Sequence, residues 1–245
     1  VAPETGLRET KKEQTRLSIA RAALQLFLDQ GFEDTSIADI AKAAQVSKMT
    51  VFNYFPAKED MFFFFIRDVM PDLGRVIRDR PAGQPPVDAL HAFYRAELQR
   101  RAEWTGLHDG VTRFSRMAMA SPTLVAGFTR HWQAHERDLL IALAADAGLD
   151  PEQEGLTESL DEVYLRMGQP EGLANARPPS TEGLRARLMS AQMLAALRML
   201  VLTNQTRQAL GLTADESEAL AMAEADTAFG FLREGLTSRG STSAM

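Results

Sequence analysis

Apolar residues recur along this chain at the i, i+3, i+4 spacing of helices that bury one face, and no stretch shows the alternation of a half-buried strand. Breaks fall at Gly31, Pro56, residues 82–86, Ser121-Pro122, residues 148–151, residues 168–179 and Gly211. The intervals are helix-sized, so the pattern predicts an all-α chain of about eight to ten helices. Residues 168–179 read as a Gly/Pro-rich loop and residues 237–245 as a frayed tail. A first helix is expected over about residues 9–30, with Ile19, Ala22, Ala23, Leu26 and Phe27 as its inward stripe. Gly31 supplies the left-handed residue that ends it, and Phe32 is placed to fold back on the last turn.

The next segment is the informative one. Asp34, Thr35 and Ser36 offer oxygens for a helix start, and Ile37, Ile40, Ala41 and Ala44 give that short helix one apolar face. Ser47 caps a third helix whose inward positions are Val51 and Phe55; Pro56 stops it, and Lys58-Glu59-Asp60 opens a fourth. Two short helices about a tight turn, the second presenting polar residues, match a helix-turn-helix. A helix enters the major groove only when a partner helix braces it across the backbone. Here the brace is the Ile37, Ile40, Ala44 face with Val46 in the turn, which leaves Lys48, Met49, Thr50, Asn53 and Tyr54 outward or partly so.

Residues 15–63, centred on Thr35-Ser36-Ile37-Ala38-Asp39-Ile40-Ala41, Val46-Ser47-Lys48-Met49-Thr50 and Asn53-Tyr54-Phe55-Pro56-Ala57-Lys58-Glu59, resemble the DNA-binding domain of the tetracycline-repressor (TetR) family. The resemblance implies a phosphate contact from Thr35, groove-facing side chains at Ser47, Lys48, Met49, Thr50 and Asn53, a backbone contact from Tyr54 and a phosphate pair at Lys58. Phosphate contacts set position and base contacts set sequence preference, and Asn53 is the candidate for reading adenine. The chain departs from the family pattern at three places. Gln45 stands where the turn usually has glycine, Phe52 where a tyrosine is common, and Ala57 where a serine usually caps the fourth helix.

Composition narrows the class. The chain has 245 residues, 45% apolar and 24% charged, the balance of a globular protein. The net charge of −6 argues against a protein that coats nucleic acid indiscriminately and leaves room for one small basic patch. All five lysines (Lys11, Lys12, Lys42, Lys48, Lys58) lie in the first quarter, and Arg16 joins the expected patch. With no cysteine there is no disulfide framework or thiolate metal site. The apolar run Met61 to Ile66 is too short to span a bilayer, and no export signal is read at the start. A cytoplasmic setting with no membrane partner is therefore expected.

The expected domains are a helix-turn-helix domain over 1–60, a ligand-binding and dimerisation domain over 61–236, and a flexible tail over 237–245. Phe62 to Phe65 surround a helix apolar on every side. Large aromatics with a few polar groups make a pocket for a small apolar or amphiphilic effector, with candidates Phe65, Phe93, Trp104, His108, Phe114, Met117, Phe128 and Trp132. Leu188, Ala191, Ala195 and Leu232 are expected to form a homodimer seam, because small residues let helices approach closely and twofold pairing doubles the DNA site. His131 and His135 stand at i, i+4, but the Glu of a His-Glu-x-x-His site is missing, since the segment reads His-Trp-Gln-Ala-His. They are expected on a solvated face, with no metal and no cofactor. The expected function is a ligand-responsive transcription regulator that binds a palindromic operator as a dimer, with repression as its sign and no enzymatic activity. The alternatives are an all-helical enzyme or metal-binding protein using His131 and His135, and a helical scaffold that has lost DNA binding.

Overall fold

The computed structural model describes residues 4–66, 69–108, 111–158, 163, 165, 167–168 and 178–237. The expected tail after residue 237 and most of the loop at 168–179 lie outside the described residues. Among the described residues the architecture is all-α: α1 (Glu4–Gln30), α2 (Ile37–Ala43), α3 (Lys48–Tyr54), α4 (Lys58–Ile66), α5 (Leu73–Arg78), α6 (Pro86–Gln99), a 3-10 turn (Glu103–Thr105), α7 (Val111–Met119), α8 (Pro122–Asp146), α9 (Thr181–Ala209) and α10 (Ala214–Thr237). α1 begins five residues before its expected start. Gly6 alone is too weak a breaker to stop the helix.

The chain forms two compact units, one of residues 1–70 with 110–129 and the other of residues 71–109 with 130–245. The first is built on the α1 stripe: Ile19, Ala23 and Phe27 are buried against Ile40, Val51, Phe55, Met61 and Phe62, with Ala118 and Leu124 completing the core. Gly31 takes φ 92° and its N–H returns to the Phe27 carbonyl at 3.0 Å; Phe32 stacks back on Phe27 with ring centroids 4.9 Å apart. Phe62 stacks on Phe114 at 4.9 Å, and Phe128 meets Phe62 and Phe63 edge-on. The approach is close enough that a Cβ on Gly127 would lie 2.2 Å from the Phe63 ring, so this position has no room for a side chain.

In the second unit, α6, α9 and α10 pack through Leu90, Tyr94 and Leu98, through Met193, Leu197 and Val201, and through Ala221, Ala225 and Phe229. Two of the buried polar side chains there, Trp104 and Asn204, find partners, as low-dielectric surroundings favour. Trp104 Nε1 donates to Glu97 Oε2 at 2.7 Å, and Asn204 Nδ2 donates to the Thr105 carbonyl at 2.9 Å. α9 is long and apolar enough to cross a membrane by length and composition alone. Its buried stripe belongs to the core just described, and the helix carries Arg185, Arg187, Arg198 and Arg207 outside that stripe.

Candidate DNA-binding interface

The helix-turn-helix is fixed at each end by local chemistry. Ser36 Oγ accepts from the Asp39 N–H at 3.2 Å while the Asp39 carboxylate reaches back to the Ser36 N–H, a reciprocal capping box that starts α2. α2 ends in a left-handed residue at Gln45, φ 56°, with the Val46 N–H returning to the Ala41 carbonyl at 2.9 Å and the Gln45 N–H to Lys42 at 3.2 Å. This is the Schellman pattern that glycine usually serves, so the conformation demanded of Gln45 is the strained one. Ser47 Oγ caps α3 by accepting from the Thr50 N–H at 3.0 Å, and its hydroxyl shares a hydrogen with Thr50 Oγ1 at 2.8 Å. Ala57 offers no cap to α4, but its N–H still donates to Asp60 Oδ2 at 2.9 Å, the other half of the same device.

With Val51 and Phe55 buried, α3 exposes Lys48, Met49, Phe52 and Asn53, while Thr50 and Tyr54 are half-buried. Phe52, the residue that stands where a tyrosine is common in the family, is thus part of the outward face. The signal that could have found it is its position one helical turn after Lys48.

Two expected phosphate contacts are corrected. Thr35 is only 1% exposed; its hydroxyl donates to the Gly31 carbonyl at 2.7 Å and serves the α1–α2 turn. Lys58 Nζ donates to the carbonyls of Phe32 at 2.7 Å, Thr35 at 3.1 Å and Glu33 at 3.3 Å, and lies 4.3 Å from the Phe32 ring centroid. An ammonium has three donors, and here all three hold the turn together. Arg16 stacks over the Phe55 and Phe64 rings at 5.3 and 5.2 Å.

The eight expected pocket residues separate into groups. Phe114, Met117 and Phe128 pack with α4 in the first unit, and Phe65 sits edge-on to Phe64. In the second unit Phe93 stacks on Trp104 at 6.2 Å, His108 is half-buried, and Trp132 lies under the Arg198 guanidinium at 5.9 Å. A cleft of 370 Å³ in that unit is lined by Pro71, Asp72, Arg75, Val76, Asp79 and Phe93, so Phe93 alone of the eight reaches it.

His131 and His135 are half-buried rather than solvated, with Nε2 atoms 3.3 Å apart. Burial, then the neighbouring His135, pushes the His131 pKa down to about 4, and burial lowers His135 too. Among the described residues no group of three or more His, Asp or Glu side chains is placed to hold a metal.

On α9, Leu184, Leu188, Ala191, Ala195, Met199 and Leu202 are all exposed, spaced three or four residues apart along one side. α10 adds exposed Leu220 and Phe231; Leu232, the expected seam residue, is half-buried beside it.

A family model described as bacterial regulatory proteins of the tetR family matches residues 19–63. The HTH-type transcriptional regulator TcmR of Streptomyces glaucescens is 32% identical over 169 residues, spanning 67% of this chain and 74% of that relative. The regulator BetI of Cronobacter sakazakii is 27% identical over 205 residues, 77% of this chain and 96% of its own length. Among solved structures, NalD, the secondary repressor of the MexAB-OprM multidrug efflux pump in Pseudomonas aeruginosa, aligns with 89% of this chain and 97% of its own. Its identity is 18% and the TM-score 0.49.

Proposed function

Because the chain belongs to the TetR family of helix-turn-helix transcriptional regulators, we propose that it is a dimeric repressor that binds a palindromic operator and is released by a small apolar or amphiphilic effector. The supporting observation is α3, whose Val51 rests on the core while Lys48, Met49, Phe52 and Asn53 face outward. In this reading residues 1–60 bind DNA and residues 61–236 bind the effector and the second subunit. Ser47, Lys48, Met49, Thr50 and Asn53 face the groove, and Tyr54 touches the backbone. The exposed apolar side of α9, with Leu188, Ala191 and Ala195, joins α10 in a twofold four-helix contact, which also relieves those side chains of water. The effector pocket draws on the expected aromatics, of which Phe93 lines a cleft in the second unit. An effector releases the operator by favouring a state in which the paired recognition helices no longer match one helical turn of duplex, so affinity falls while every contact residue remains.

The division of roles on α3 is tested by measuring affinity for a panel of operator variants. Asn53→Ala should relax the preference at one base pair per half-site, costing about 1–3 kcal/mol there, whereas Tyr54→Phe should weaken all variants alike. Identical profiles for the two substitutions would refute the assignment.

A further inference from the structure

We propose that Met49 and Phe52 read thymine 5-methyl groups, so that the operator half-site carries A·T pairs at its centre. The inference rests on the DNA-binding reading above and says what α3 recognises.

Met49 is 69% and Phe52 48% exposed, and among the described residues of the first sixty these are the exposed large apolar side chains. The other large apolar groups whose exposure is described in that segment are at least partly withdrawn from solvent. At about 100° per residue along a helix, Lys48, Phe52, Met49 and Asn53 follow one another around an arc of about 140°. The two apolar groups therefore occupy its middle, and the charged and amide groups its edges.

That order has a chemical meaning in a major groove. Its floor is otherwise lined by hydrogen-bond donors and acceptors, and the thymine methyl is the apolar feature it offers. A phenyl ring and a thioether have no strong donor to spend on a phosphate or a base edge. A central apolar pair set against polar base edges would leave those edges unpaired, at a cost larger than any packing gain. Set against methyls, it removes apolar surface from water on both sides. Asn53 at the edge of the arc suits adenine N6 and N7, and every adenine brings a thymine methyl on its partner. Lys48, at the opposite edge, suits guanine O6 and N7, which places the G·C pair to one side of the A·T centre.

The test uses the full-length protein and duplexes selected from a random pool for tight binding. Each thymine of the enriched half-site is replaced in turn by deoxyuridine, which keeps every hydrogen bond and removes only the methyl. Affinity is expected to fall about fourfold at one or two positions per half-site, the factor for withdrawing one methyl-sized group from an apolar contact. Phe52→Ala should abolish the uracil effect at one of those positions and Met49→Ala at the other, with circular dichroism unchanged because neither side chain belongs to the core. Equal affinity for thymine and uracil duplexes, in a protein that still selects a sequence, overturns the methyl assignment and leaves the regulator reading intact. A pool that shows no enrichment overturns both.

Discussion

Two residues of the DNA-binding segment carry conflicts that measurement resolves directly. Gln45 holds φ 56° in the turn that aims α3, and an L-residue with a Cβ is disfavoured there by about 1–2 kcal/mol. Gln45→Gly should therefore raise the unfolding free energy by about 0.5–1 kcal/mol, the extra flexibility of unfolded glycine offsetting part of the relief. Denaturant titration checks it, and a loss of stability would mean that the turn is held by the Gln45 side chain. Lys58 was legible in the sequence as a cation at a helix start. Its actual work was not, because its three carbonyl partners lie 23 to 26 residues back and depend on how α1, α2 and α4 meet. Lys58→Met should cost about 1.5–3 kcal/mol of stability with no DNA present, as expected for hydrogen bonds to a charged group. Unchanged stability with weakened operator binding would restore the phosphate role. Thr35 misled for the same reason: a hydroxyl at a helix start resembles a phosphate ligand until the Gly31 carbonyl behind it is in view.

At the scale of elements, what the sequence revealed was what local spacing controls. The α1 stripe, the Gly31 stop, the Ser47 cap and the Pro56 break follow from i, i+3, i+4 contacts and cap chemistry, which a chain carries within a few residues. The grouping of residues 110–129 with the N-terminal segment rests on packing between positions about fifty residues apart in sequence, such as Phe62 on Phe114, and no periodicity reports it. The aromatic pocket candidates suffered likewise, since a stripe of phenylalanines does not say which rings will find each other. α8 shows how a solvated reading of His131 and His135 fails, because its periodicity is too weak to separate a half-buried face from an open one. Their burial has a consequence for pH. Their pKa values are lowered on folding from an ordinary value of 6.5, His131 to about 4, so the unfolded chain binds more protons through that range. Stability should be fully present above pH 6.5 and decline as pH falls toward 4, and His131→Leu should flatten that slope. A melting temperature that is constant from pH 7 to 5, or rises on acidification, would contradict the burial of the pair.

The proposed twofold pair answers a limit of size, because one seven-residue recognition helix contacts too few base pairs to select a site alone. The exposed side of α9 is the proposed seam of that pairing. Ala195→Glu sets two carboxylates against each other across a twofold seam, and sedimentation should show monomers; a dimer indifferent to the change would place the seam elsewhere. Monomers should also lose operator affinity, since linked half-sites bind together far more tightly than separate ones. Joint entry of two α3 helices into one face of a duplex is tested most directly by hydroxyl-radical footprinting on a selected operator. Two protected patches related by a dyad are expected, their centres about 10–10.5 base pairs apart. A single patch, or a pair whose spacing places them on opposite faces of the duplex, would contradict it.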